Sequence, residues 1–199
     1  NMVTRREKEI ETMKELIITT AKEIIAKEGL DNLSIRKIAN KIEYSPSTIY
    51  HYFKDKEEIV SIIMRIGYMK IVNAVSITDL DDLTPTEKLK KVTRNYIQEA
   101  LKMSDEFLAV QINQSPQALK YTSYLFKGAS KEKPALMALY NCLKEIHKDE
   151  DEEQIELKAQ MIAASTMGLI MKLILEKNIE EEQRQKLINY FIEEVILKI

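Results

Sequence analysis

Apolar residues recur every three or four positions along almost the whole chain, and no stretch alternates convincingly with a period of two. That pattern predicts an all-α protein. It is sharpest between Ser34 and Lys56. Ile35, Ile38, Ala39 and Ile42 share one helical face, and Ser34 stands where its hydroxyl can accept from a free backbone N–H. Glu43 and Tyr44 break the pattern. Ser45-Pro46 restarts it: a capping serine, then proline at the first helical position, where a missing N–H does no harm. Ile49 and Phe53 form the inward face of this second helix, and Ser47, Thr48, Tyr50, His51 and Tyr52 are left on its other sides. Small Ala39 lets the two helices cross closely. The layout is that of a helix-turn-helix.

The same reading extends in both directions. A first helix is expected from about Glu9 to Glu28, with Leu16, Ile17, Ala21, Ile24 and Ile25 as its stripe and Gly29 as a left-handed cap. Asp55, with Glu58 three residues on, opens a long fourth helix through Ile59, Ile62, Ile63, Ile66, Met69 and Val72 to about Ile77. Gly67 inside it weakens it by about 1 kcal/mol relative to alanine; close packing or a hinge would account for a glycine there. Thr84-Pro85-Thr86-Glu87 is a complete helix start, and Leu89, Val92, Tyr96, Ile97, Ala100, Leu101 and Met103 follow on one broad face. Shorter helices are expected over Glu106 to Asn113, and from Ser115-Pro116 to an end near Gly128. Lys133-Pro134 opens another through Ile146.

Between Glu152 and Glu176 two apolar seams run along one helix. Leu157, Met161, Ala164, Gly168, Met171 and Leu175 make the first; Ile155, Ala159, Ile162, Thr166, Leu169 and Leu173 make the second. Two seams mean two packing surfaces, one for the chain's own core and one for a partner. The last helix, about Ile179 to Ile199, carries Leu187, Ile188, Phe191, Ile192, Val195 and Ile196, more apolar surface than a solitary terminal helix usually exposes. The expected interface is that of a homodimer, two helices from each chain, through Leu157, Met161, Ala164, Gly168, Met171, Leu187, Phe191 and Val195.

Composition narrows the class. A chain of 199 residues makes one or two domains with a sizeable core. No run of about 18 apolar residues is present, so no membrane span is expected. The charged start reads as neither anchor nor secretory signal, Asn1 before Met2 reads as an expression scar, and the setting expected is the cytoplasm. The lone Cys142 has no internal disulfide partner and is expected as a small buried hydrophobe. His51 and His147 lie in different segments without further ligands at metal spacing, and no phosphate loop or nucleophile elbow appears, so neither metal, cofactor nor catalytic residue is expected. Net charge is −2, which argues against nucleic acid until its distribution is read. Residues 32–56 hold Arg36, Lys37, Lys41, Lys54 and Lys56 against Glu43 and Asp55, a surplus of three positive charges; the acid surplus comes later, in 149–153 and 180–182. A locally basic helix-turn-helix on an acidic body suits double-stranded DNA bound through a few placed contacts.

Gly29, Ser34, Ile38, Ala39, Ser45, Thr48, Ile49, Tyr50, Tyr52, Phe53, Lys56 and Glu57, over about residues 11 to 65, resemble the DNA-binding head of TetR-type transcriptional repressors. The resemblance implies a helix-turn-helix DNA-binding domain over 1–55 and a helical effector-binding and dimerisation domain over 56–199. By helical phase Ser47, Thr48 and Tyr52 are candidates for base edges or nearby phosphates, and Tyr50 and His51 for backbone contacts. Lys56 stands at a helix start that suits phosphate, and the capping residues Ser34 and Ser45 complete the set. The turn departs from the family: Glu43 and Tyr44 stand where glycine and valine are usual, and Ser47 where glycine is common. A left-handed Glu43 would cost roughly 1–2 kcal/mol, leaving the turn strained or reshaped.

The resemblance further implies a small hydrophobic effector bound in the helical domain, whose binding loosens the grip on DNA, with the fourth helix as transmitter. Tyr96, Gln111, Asn113, Tyr121, Tyr124, Met137, Tyr140 and Asn141 are the polar or adaptable side chains that could line its pocket. The expectation is a cytoplasmic homodimeric repressor on a palindromic operator. The alternatives are a DNA-bound helical interaction protein without a ligand, and an all-α enzyme.

Overall fold

The computed structural model describes residues 4–76 and 82–199, and among them every regular element is helical. In chain order these are α1 (Arg5–Glu28), α2 (Ile35–Lys41), α3 (Pro46–Tyr50), α4 (Lys56–Val75), α5 (Pro85–Lys102), α6 (Ser104–Gln111), α7 (Pro116–Thr122), α8 (Ala129–Glu132), α9 (Pro134–Ile146), α10 (Glu152–Leu175) and α11 (Glu181–Tyr190). A π-helical turn, Phe191–Val195, and a 3₁₀ turn, Ile196–Lys198, extend α11. The expected far end of the fourth helix, Ile77, lies outside the described residues.

Local chemistry explains most of the boundaries. Helix α1 starts four residues before the expected Glu9, because Thr4 and Glu7 close a capping box: the Glu7 N–H donates to Thr4 Oγ1 (3.2 Å) and the Thr4 N–H to Glu7 Oε2 (2.7 Å). Thr84 and Glu87 do the same for α5. Gly29 has φ +85° as a cap should, but its ψ of 162° is extended, so it is not the left-handed helical cap expected. Gly128 does not close a segment: α7 stops at Thr122, and Gly128, at φ +85°, precedes α8 instead.

The chain forms two compact units. The first reaches Gly67 and includes Asp105–Thr122; the second is Tyr68–Ser104 with Ser123–Ile199. The first is built on Ile17, Ala21, Ile24 and Ile25 of α1, Ile35, Ile38 and Ala39 of α2, Ile49 of α3, Phe53, and Ile59 and Ile63 of α4. Burying each such isoleucine stabilises by about 1.5–3 kcal/mol. Ala118 of α7 is fully buried in the same core, with Ala109, Val110 and Tyr121 packed against it. Lys22 pairs with Glu106 (4.0 Å), Asn113 Nδ2 donates to Asp31 Oδ1 (3.2 Å) and Gln117 Nε2 to the Glu57 carbonyl (3.4 Å). Leu16 and Met69, expected on buried stripes, are exposed.

The second unit packs α5, α9 and α10 around Leu89, Val92, Leu136, Leu143, Ile155, Ala159 and Ile162. Cys142 is buried in this core, and burial pushes its thiol up to about 11, which suits the small hydrophobe expected of it. Helix α10, 24 residues long, is by length and composition apolar enough to cross a membrane, contrary to the expectation that no such segment exists. Within the unit, however, its Ile155, Ala159, Ile162, Thr166 and Leu173 are buried.

The turn between α2 and α3 takes the strained alternative. Glu43 has φ +60°, the one positive φ outside glycine among the described residues. The Tyr44 N–H donates to the Ala39 carbonyl (3.0 Å) and the Glu43 N–H to that of Asn40 (3.3 Å), the double closure of a Schellman motif with glutamate where glycine is usual. Replacing Glu43 by glycine removes roughly 1–2 kcal/mol of left-handed strain and returns about 0.5–1 kcal/mol through the entropy of the unfolded chain. Glu43→Gly is therefore expected to raise the unfolding free energy by a net of about 0.5–1 kcal/mol, read as a higher urea midpoint at unchanged slope, and Glu43→Ala to change it little. A lowered midpoint for the glycine variant would show that the turn is not strained.

Candidate nucleic-acid interface

Two caps set the helix-turn-helix. Ser34 Oγ accepts from the Lys37 N–H (3.2 Å) and Ser45 Oγ from the Thr48 N–H (3.2 Å), while Pro46 takes the first position of α3. Ile49 and Phe53, 0% and 4% exposed, hold α3 against the core. Ser47, Tyr50 and His51 consequently face solvent, Tyr50 with 56% exposure. Thr48 is half-buried, and its hydroxyl lies 3.0 Å from Ser45 Oγ, so part of its hydrogen-bonding capacity is used inside the turn. Tyr52 differs from the expectation that it stands clear of the core: it is half-buried and packs against it.

Lys56 opens α4 behind a cap in which the Glu58 N–H donates to Asp55 Oδ1 (2.8 Å) and Glu58 Oε2 accepts from the Lys54 N–H (2.6 Å). With Glu57 and Glu58 in the first turn, the positive end of α4 already carries carboxylates. A phosphate there would rest on the Lys56 charge more than on the helix terminus.

The positive surplus of residues 32–56 is also smaller in three dimensions. Lys41 pairs with Glu23 (2.7 Å) and Lys37 with Glu28, both acids of α1. The hydrogen bond from Lys41, and then its charge, hold the Glu23 carboxyl below its usual range. No ion pair involves Arg36, Lys54 or Lys56 among the described residues, and these three lie in the same segment as α3.

Residues 17–61 match the model of bacterial regulatory proteins of the tetR family. The match falls on the helix-turn-helix segment, and it is this segment that is similar to the family. The chain's fold is that of solved TetR structures along nearly its whole length. A tetR-family regulatory protein from Rhodococcus RHA1 is 17% identical over 93% of this chain and 95% of that one, with a TM-score of 0.71. The fatty acid degradation regulator FadR from Bacillus halodurans is 19% identical over 90% and 93%, with a TM-score of 0.68. The TetR family regulator PfmR from Thermus thermophilus is 16% identical over 88% and 96%, with a TM-score of 0.62. No curated protein matches by sequence. The likeness to these structures is one of fold.

The other expected sites fare differently. Gln111, Asn113 and Tyr121 belong to the first unit, while Tyr96, Tyr124, Met137, Tyr140 and Asn141 belong to the second. The eight therefore do not line one pocket within either unit. Asn113 is spent on Asp31 and on accepting from the Ser115 N–H (2.8 Å), and Asn141 and Met137 are exposed. Tyr96 and Tyr124 do come together, with Tyr68 as a third phenol that sequence reading missed; burial, then the neighbouring Tyr124 and Tyr68, raise the Tyr96 hydroxyl strongly. Sequence reading also missed the polar anchor on α10. Glu156 accepts from the Gly128 N–H (2.9 Å), the Ser130 N–H (3.0 Å) and Ser130 Oγ (2.7 Å), and Gln160 Nε2 donates to the Tyr124 and Phe126 carbonyls (3.0 Å each). The Gly128 and Ser130 bonds hold the Glu156 carboxyl below its usual range. Of the interface candidates, Leu157, Met161, Gly168, Leu187 and Val195 are exposed, and Ala164, Met171 and Phe191 are half-buried.

Tyr50→Phe and Lys56→Ala are expected to weaken DNA binding by about 0.5–1.5 kcal/mol each, with the thermal midpoint unchanged. Lys56→Ala should also flatten the salt dependence by about one unit of slope. Tyr52→Ala is expected to lower both affinity and midpoint. Titration of one fixed duplex at several salt concentrations checks all three, and unchanged affinity throughout would remove this face from the interface.

Proposed function

We propose that this protein is a cytoplasmic homodimeric repressor that binds a palindromic operator and is released from it by a small hydrophobic molecule. The observation that carries the dimer is the fate of the two seams on α10. Ile155, Ala159, Ile162, Thr166 and Leu173 are buried within the chain, while Leu157, Met161 and Leu175 are 48%, 51% and 57% exposed, and Gly168 is exposed with them. Leu187 and Val195 extend the outward apolar set. Exposed apolar residues at helical spacing on the last two long helices fit a four-helix interface closed by a two-fold axis. Two copies of α3 would then read half-sites about one DNA turn, roughly 34–36 Å, apart.

DNA recognition is carried by residues 1–55, and effector binding and dimerisation by 56–199. The chain passes between its compact units at Gly67–Tyr68, Ser104–Asp105 and Thr122–Ser123. α4 and the α6–α7 segment are thus the covalent routes by which an effector in the second unit acts on the first. The desolvated phenols of Tyr68, Tyr96 and Tyr124 among apolar side chains are the groups best suited to orient such a molecule.

Two measurements test this reading. A Cβ built on Gly168 meets no atom within 4 Å in the chain, and the position is exposed, so a side chain there starts in open space and leucine gains up to about 1 kcal/mol of helix propensity. Gly168→Leu is expected to stabilise the monomer and shift sedimentation from dimer to monomer at micromolar concentration; an undisturbed dimer would place the interface elsewhere. Release by an effector requires reciprocity. A ligand that weakens DNA binding roughly 5–150-fold must itself be weakened by the same factor when operator DNA is bound, about 1–3 kcal/mol of coupling. A compound found by thermal shift that binds free and DNA-bound protein equally would leave the regulator without this switch.

A further inference from the structure

The first unit has a surface feature that the recognition residues do not use. A cleft of about 430 Å³ opens between Tyr44 and the first three turns of α1, lined by Arg5, Lys8, Met13 and Leu16 among others. Leu16 and Tyr44 are 41% and 45% exposed. Tyr44 is delivered to this place by the left-handed Glu43, and it immediately precedes Ser45, the cap of α3.

Resting on the DNA-binding role proposed for α3, we infer that this cleft is a second DNA-contacting surface, which takes the sugar–phosphate backbone beside the groove that α3 would enter. Continuity is the first reason. Tyr44 is the residue before the cap of the recognition helix, so a strand passing the start of α3 passes Tyr44. Chemistry is the second. A sugar–phosphate strand offers apolar deoxyribose faces and an anion at each nucleotide, and the cleft offers Met13, Leu16 and the Tyr44 ring together with the cation of Lys8. Availability is the third. No ion pair involves Lys8 among the described residues. The Arg5 Nε–Glu9 pair (2.9 Å) is an exposed i,i+4 contact of the kind that contributes only a few tenths of a kcal/mol. Glu9 also lines the cleft, and Arg5 keeps it neutralised while Lys8 meets the phosphate.

The test uses the full chain and a duplex that it selects from random-sequence DNA, with phosphate-ethylation interference as the readout. Lys8→Ala and Tyr44→Ala are each expected to weaken binding about 3–10-fold. Lys8→Ala should also lower the salt slope by about one and abolish interference at phosphates distinct from those lost in Lys56→Ala. Lys8 is exposed on α1, so its removal leaves the thermal midpoint in place. Affinity within two-fold of the parent, with an unchanged interference pattern, would overturn the proposal and leave the cleft to a protein partner. Failure of the parent chain to select any duplex would instead overturn the DNA-binding reading of α3 as well, so the two failures are distinguishable.

Discussion

Helices of seven and five residues do not hold themselves in water, because nucleation is unfavourable and too few bonds follow to repay it. α2 and α3 exist because Ile35, Ile38, Ile49 and Phe53 are buried against α1 and α4, and because Ser34, Ser45 and the Schellman closure at Tyr44 satisfy their free backbone groups. The magnitudes decide the shape of the turn. Each buried side chain contributes about 1.5–3 kcal/mol, against roughly 1–2 kcal/mol for a left-handed glutamate, so packing wins and Glu43 is held at φ +60°. The direction in which Ser47, Tyr50 and His51 face follows from that outcome.

The second unit depends on α10 in a comparable way. One side of the helix is core, and the side chains of Glu156 and Gln160 bind residues 124–130 through five hydrogen bonds. Leaving such buried or half-buried polar groups unpaired would cost about 1–3 kcal/mol each, so the segment that carries Tyr124 is tied to the helix rather than merely adjacent to it. The remaining side of α10 is apolar and faces outward. A helix so arranged holds the segment of Tyr124 while leaving Leu157, Met161 and Leu175 exposed.

Charge works by placement rather than by total. The chain is slightly acidic, and two of the five cations around the recognition helix are matched by Glu23 and Glu28 of α1. Those pairs are exposed and contribute little to stability, but they lower the field that DNA would meet. Arg36, Lys54 and Lys56 are the cations of this segment that enter no ion pair among the described residues. A DNA interface built on so few charges would lose affinity with salt less steeply than that of a broadly basic protein.

Much of this molecule was determined by its sequence alone. Helical periodicity, the caps at Ser34, Ser45 and Thr84, the glutamate at a glycine position and the double seam of α10 are all local signals, because i to i+3 and i+4 neighbours meet in any helix whatever surrounds it. Even the early start of α1 was written in Thr4 and Glu7, although it was not read. Tertiary structure alone decided which partners meet across long separations: Asn113 with Asp31, Glu156 with Gly128, Lys41 with Glu23. It placed residues 105–122 with the helix-turn-helix unit and so divided the expected pocket residues between two bodies. It turned Tyr52 onto the core and left Leu16 in solvent. Such contacts depend on how whole helices pack, and packing is settled by the summed burial of many side chains. No spacing within a single segment records that sum.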